Sequence, residues 1–221
     1  MISFYLNTYA PLVSCKAGRD ASRIYDIPPF VDGSIRREPD LEHPFPAITC
    51  LCRGNNFAPR LKPDDVVAYM LKKGRYGQKQ SHRRLTAVLR VLEVLSSHSS
   101  GETWYRDRKL HLPNNCCVRG NPAKPIEHSH RLHRLSKNLA TKDIYRRWDL
   151  GYQARIRING TFVVCESLYC DLNWSAPVVT DRQLKTAFGK IPGTRNPGRL
   201  SIKHAQRLLS LLSIDVPLSC P

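Results

Sequence analysis

Lys62-Pro63-Asp64-Asp65-Val66-Val67-Ala68-Tyr69-Met70-Leu71 is the stretch from which the fold is read. Pro63 fixes its own φ near the value a turn needs, and the two Asp side chains bond readily to nearby backbone, so the segment starts from a tight turn. The residues that follow are apolar on both faces, so Val66 to Leu71 is expected as a central strand covered on each side. Such a strand needs neighbours. Ile2 to Tyr9, with Ile, Phe and two Tyr around a Thr, reads as one. Ala47 to Arg53 reads as another, with Cys50 and Cys52 on one face. Arg83 to Ser96 fits both periods. Leu85, Val88, Leu89, Leu92 and Leu95 form a helical stripe, whereas Val88, Val91 and Val94 favour a strand.

Outward from these strands, prolines at 28, 29, 39, 44 and 46 mark Ser14 to Pro46 as a long loop, either a lid or a tail. Gly74 to Ser81 is a polar, basic connection, and Pro113 to Pro125 a second loop. Glu102 to Leu110 and Thr141 to Leu150 read as helices, the latter closed by Gly151. Ala154, Ile156 and Ile158 alternate with Arg155 and Arg157 before Asn159-Gly160 and Thr161 to Cys165, which predicts a β-hairpin. Thr180-Asp181-Arg182-Gln183 is a capping box for a helix ending at Gly189. Ser201 opens a last helix with Ile202, Ala205, Leu208, Leu209 and Leu212 on its inner face. The 221 residues are read as one α+β domain whose residues from about 180 to 213 form a helical extension.

Charge bounds the function. Thirty-five Lys and Arg against 18 Asp and Glu leave a formal +17, a self-repulsion that a polyanionic partner relieves by releasing counterions. The acids crowd at the start, at Asp20, Asp26, Asp32, Glu38, Asp40 and Glu42, whereas only Asp181 lies between Leu172 and Ile214. The pattern predicts DNA or RNA as partner. No run of apolar residues is long enough for a membrane span, and Leu12-Val13-Ser14-Cys15 has no basic segment before it of the kind a lipoprotein signal requires. With no secretory signal, the eight cysteines are expected as reduced thiols in a cytoplasmic protein.

The motifs of common enzymes are missing: no G-x-S-x-G, no phosphate-binding G-x-x-x-x-G-K-[ST], no G-x-G-x-x-G and no H-E-x-x-H occurs. No metal or cofactor is expected, because no C-x-x-C pair is present and Leu132 stands where an H-x-H-x-D-H metallohydrolase run needs aspartate. His128, His130 and His133 instead read as part of an exposed basic segment, with Arg131, Arg134 and Lys137 beside them. Aromatic residues among cations are more informative, since π-faces stack on bases while cations hold phosphates. Tyr69, Tyr76, Trp104, Tyr105, Trp148 and Trp174 are of this kind, near Lys72, Lys73, Arg75, Arg106, Arg108, Arg146 and Arg147. Asn114 and Asn115 offer amides to a base edge.

Pro46 to Arg53, Phe57 to Leu61, Lys62 to Tyr69 and Arg84 to Val91 together resemble the nucleotide-modification-associated domains and, more distantly, the PUA-like superfamily with its EVE and ASCH members. The resemblance runs from Ile27 to Pro125, with an extension over Phe188 to Thr194, and Asp64 stands where those families usually carry glycine. It implies a small mixed β-barrel with peripheral helices, which resolves Arg83 to Ser96 as a strand. It also implies an open side that receives nucleic acid and a flipped or modified base, in DNA or RNA modification or in defence. The expected nucleic-acid-binding residues are Arg53, Arg60, Tyr69, Lys72, Lys73, Arg75, Arg83, Arg84, Trp104, Tyr105, Asn114, Asn115 and Arg119. Two other readings stand beside this one. The first is an enzyme of nucleic-acid modification or cleavage using Asp26, Asp32, Asp64, Asp65 or the histidines, and the second is a basic subunit of a larger defence complex.

Overall fold

The computed structural model describes residues 2–130, 141–194 and 196–218. The α+β class is as expected, built on a six-stranded mixed sheet. Its strands are β1 (Phe4–Tyr9), β2 (Ala47–Thr49), β3 (Val66–Leu71), β4 (Arg83–Leu95), β5 (Phe162–Cys170) and β6 (Val178–Val179). The order is β1-β3-β4-β5-β2, with β6 paired to the start of β4, and the sheet curls into half a barrel. β3 is buried along its whole length between β1 and β4, as its two-sided apolar pattern requires. Arg83 to Leu95 is a strand, bulged where its register against β5 shifts.

The turn before β3 accounts for the Asp at position 64. Asp64 lies in the left-handed region at φ 72°, which Asp adopts more readily than most residues. Asp65 fixes the entry by accepting hydrogen bonds from the Ser3 and Lys62 amides, both at 3.0 Å. Its carboxylate is thereby a structural turn group.

β1 and β3 run parallel in the register Phe4↔Val66 to Tyr9↔Leu71, so both release the chain at the same edge of the sheet. Alternation along them separates two cores. Phe4, Leu6, Val66, Ala68 and Met70 point to one face, where Leu184, Ala187, Phe188, Ala205, Leu208 and Leu209 cover them from α5 (Asp181–Phe188) and α6 (Ile202–Leu211). The residues read as a helical extension are thus one wall of a core. Thr180 accepts from the Gln183 amide at 3.2 Å, Gln183 returns the capping contact, and Gly189 ends α5 at φ 75°. Tyr5, Tyr9, Val67, Tyr69 and Leu71 point to the other face, against Phe30, Val31, Leu41 and Ile48.

Three expectations are corrected. Ser14 to Pro46 is no open loop: it contains α1 (Lys16–Ile24), and every residue from Phe30 to Leu41 is buried. The second strand stops at Thr49, whose hydroxyl accepts from the Leu51 amide and caps α2 (Cys50–Arg53), so Cys50 and Cys52 do not share a strand face. The expected hairpin is a helix, α4 (Thr141–Ile158), which also carries the chain past Gly151. Its inner residues are Tyr152 and Ile156, one helical turn apart, while Ala154 and Ile158 are exposed. Gly160 serves a close approach instead of a turn, because a Cβ there would lie 2.8 Å from the Ser96 carbonyl oxygen. The third helix along the chain, α3 (His98–Asp107), packs Trp104 and Tyr105 on Phe162 and Val164 of β5.

Candidate functional site

The edge where β1 and β3 end opens into a cleft of about 670 Å³. Thr8, Tyr9 and Ala10 come from the end of β1, Lys72 follows β3, Arg53 closes α2, Tyr152 and Arg155 come from α4, and Asp32, Ser34 and Glu38 come from the buried irregular segment. That segment holds its shape through two arginines with 2% side-chain exposure. Arg36 reaches Asp149 of α4 at 2.6 Å and donates to the carbonyls of Asn114 and Asn121. Arg37 donates to the carbonyls of Asp32 at 2.7 Å, Ser34 at 3.0 Å and His128 at 2.9 Å, and to Glu42. Charged donors thus satisfy backbone that no strand or helix serves.

The cleft's two acids are almost wholly buried. Glu38 Oε1 accepts from the Thr49 amide at 3.0 Å, and Oε2 from the Thr49 hydroxyl at 2.6 Å and Asn115 Nδ2 at 2.9 Å. These donors favour the carboxylate, yet burial outweighs them and, with the nearby Asp32, pushes the Glu38 carboxyl up to about 8. Burial raises Asp32 as well, against hydrogen bonds from Ser34 and Glu38 and the charge of Arg37. His130 packs on the same segment so closely that a Cβ at Gly33 would fall 1.8 Å from its Nδ1, which explains the glycine.

Cations ring the opening. Arg53 donates to the Thr8 carbonyl at 2.8 Å, Arg155 to the Leu51 carbonyl at 2.8 Å, and Lys72 is exposed. Lys72 and Ala10 also line a second cleft of about 420 Å³ with Arg19, Lys73, Arg75, Tyr76 and Trp174. Buried Phe30 supports both aromatic walls edge-on, Trp174 at 4.9 Å and Tyr76 at 5.9 Å between ring centroids, and Trp174 is 52% exposed. The whole edge presents anion-binding side chains and one open aromatic face.

The residues expected from the sequence divide. Arg53, Lys72, Lys73 and Arg75 line the two clefts. Arg83 pairs with Asp181, as Lys73 does at 2.6 Å. Arg84 is buried, donating to the Trp174 and Ala176 carbonyls and lying over the Phe30 ring. Tyr69, Trp104 and Tyr105 are core side chains, Tyr105 donating to the Phe45 carbonyl at 2.7 Å. Asn114 is buried behind the segment and Asn115 is bonded to Glu38, while Arg60 and Arg119 are exposed and line neither cleft. Of the acids named for an enzyme, Asp26 and Asp64 are exposed and Asp65 is structural, so Asp32 alone reaches a cleft. His130 is buried in the cleft wall instead of exposed, and residues 131–140, His133 among them, lie outside the described residues, as does the Trp148 side chain. Glu38, Arg155 and Tyr152 were missed. Their signal is tertiary, since a lone acid before Pro39 and an arginine on a misread helix carry no motif.

No family model, no curated protein and no solved structure matches the chain. Among the described residues, no helix is long and apolar enough to cross a membrane.

Proposed function

We propose that the protein binds nucleic acid or its nucleotides in the cleft at the β1–β3 edge, with phosphates on Arg53, Lys72 and Arg155 and a base directed to the acid floor. The observation that carries this reading is the placement of three cations from three separate elements at the mouth of a cleft floored by Asp32 and Glu38. Acid oxygens at a base edge accept from amino groups while cations neutralise phosphate, so one site serves both ends of a nucleotide. The second cleft continues the path for a neighbouring nucleotide, with Trp174 as a stacking face and Lys73 and Arg75 along the backbone. The formal +17 supplies the long-range attraction. A PUA-like relation and a role in reading modified bases, in modification or defence, accord with the curled mixed sheet and the site at its open edge.

The test is binding to unmodified and base-modified DNA and RNA oligonucleotides across a salt series. Affinity should fall with salt, and Lys72→Ala should weaken binding to all sequences by about tenfold and reduce the logarithmic salt slope by about 1. A preference for one modified base that survives at high salt supports base reading in the cleft. Failure to bind any oligonucleotide at low salt removes the proposal.

An enzyme acting on the same ligands is favoured by one observation. Glu38, raised to about 8 in the cleft wall, holds a proton that is exchangeable near neutral pH. Turnover of a bound nucleotide that disappears in Glu38→Gln while binding persists supports this second reading.

A further inference from the structure

Asp32 is 7% exposed and lines the larger cleft, yet its two oxygens are treated differently. Oδ1 takes every hydrogen bond the group receives among the described residues: from the Ser34 amide at 2.9 Å, the Ser34 hydroxyl, and the Glu38 amide at 3.1 Å. Oδ2 receives none. An oxygen that a largely buried carboxylate leaves open to the cleft can take a charge-assisted bond from a donor brought by a ligand. Three or more His, Cys, Asp or Glu side chains do not gather as a metal-holding group among the described residues, and Arg37, Arg53 and Lys72 make the surroundings cationic. The partner that fits is therefore a hydrogen-bond donor of the ligand, and the base amino group is the donor by which nucleotides differ.

We infer that Asp32 Oδ2 is a specificity-determining acceptor for the exocyclic amino group of a nucleobase, so that the cleft prefers amino-bearing bases to their keto counterparts. The inference rests on the proposed nucleotide site and names the feature by which that site chooses. Cytosine and adenine offer an amino group where uracil and hypoxanthine offer a carbonyl, which would set two lone-pair-bearing oxygens against each other in a buried place. Asp32→Asn is the informative substitution. The three donors around Oδ1 suit an amide oxygen and not an NH2, so the amide is kept from flipping and its NH2 faces the cleft.

The experiment is calorimetric or fluorescence titration of the whole protein with CMP against UMP and AMP against IMP, with ribose 5-phosphate as the base-free reference. The expected result is a preference of at least about tenfold for the amino member of at least one pair, reversed in Asp32→Asn. N4,N4-dimethyl-CMP keeps the ring and lacks the donor, and it should bind as weakly as UMP, a check that needs no variant to fold. Equal binding of both members of both pairs, or a preference unchanged by Asp32→Asn, overturns the inference while leaving the nucleotide site standing. Absence of binding by all nucleotides and oligonucleotides overturns the site and this inference together.

Discussion

The two faces of β3 are covered in opposite ways. Val66, Ala68 and Met70 meet the apolar stripes of α5 and α6, whereas Val67, Tyr69 and Leu71 lie under a segment that is almost all irregular and carries Asp32, Arg36, Arg37, Glu38 and Asp40 into the interior. The first cover is held by area removed from water and is forgiving of detail. The second is held by directed bonds from charged groups, each of which must be met. The difference teaches where the clefts form: both open on the bonded side, and neither is lined from α5 or α6.

The sharpest way to break this comparison is Arg37→Met. It keeps most of the side-chain volume and leaves three carbonyls and Glu42 without their donor, so a loss of about 3–5 kcal/mol is expected in denaturant unfolding. A loss below about 1 kcal/mol would show that packing alone holds the segment. On the helical side, Leu208→Ala empties a fully buried position and should cost about 3 kcal/mol. Because that cost falls on the opposite face, nucleotide affinity should stay within about twofold of the parent at a temperature where both are folded; a larger drop would mean the faces are coupled.

A smaller effect, per pH unit, comes from Glu38. Its folded value of about 8 lies above the ordinary 4.5, so the native state holds the proton more tightly than the unfolded chain. The stabilisation is complete below pH 4.5 and is lost as pH rises through 8, at about 1 kcal/mol per unit in between. Unfolding curves across that window should slope downward for the parent and flatten in Glu38→Gln. If the slope is the same in both proteins, the carboxylate is already ionised in the folded state and its three donors outweigh burial.

The regular half of the molecule was legible in the sequence and the bonded half was not, for the same physical reason. β3, the capping box at Thr180 and the inner face of α6 repeat a local period, which composition in a short window displays. The strand at Arg83 to Leu95 needed the family resemblance, because its leucines and valines satisfy two periods at once. Ala154 to Ile158 misled by matching period 2 while the packed pair was Tyr152 and Ile156. Proline-rich sequence from 28 to 46 looks alike whether it is a free loop or a buried one. What decides is whether distant carbonyls, such as those of Asn114, Asn121 and His128, arrive to meet Arg36 and Arg37. Of the basic side chains lining the larger cleft, Arg53 and Lys72 were named from the sequence because charge is local information, while Arg155 was hidden on a helix that reads as a strand. Asp32 was named only as one of four acids for an enzyme and Glu38 was given no role, since burial is what sets these two apart.

The parallel pairing of β1 with β3 also makes the cleft a product of contacts distant in sequence. Phe4 must wait for Val66 before it has a strand partner, and the closure of so long a loop is unfavourable until β4 adds its antiparallel ladder to β3. β3 and β4 are close enough in sequence to pair as a local antiparallel ladder, whereas β1 reaches β3 only across a long stretch of chain. Arg155 and the α5–α6 cover lie later still in the chain. The cleft at the shared edge is therefore built from segments far apart in the chain, its first wall made by residues near position 8 and its last by Arg155 and Thr194.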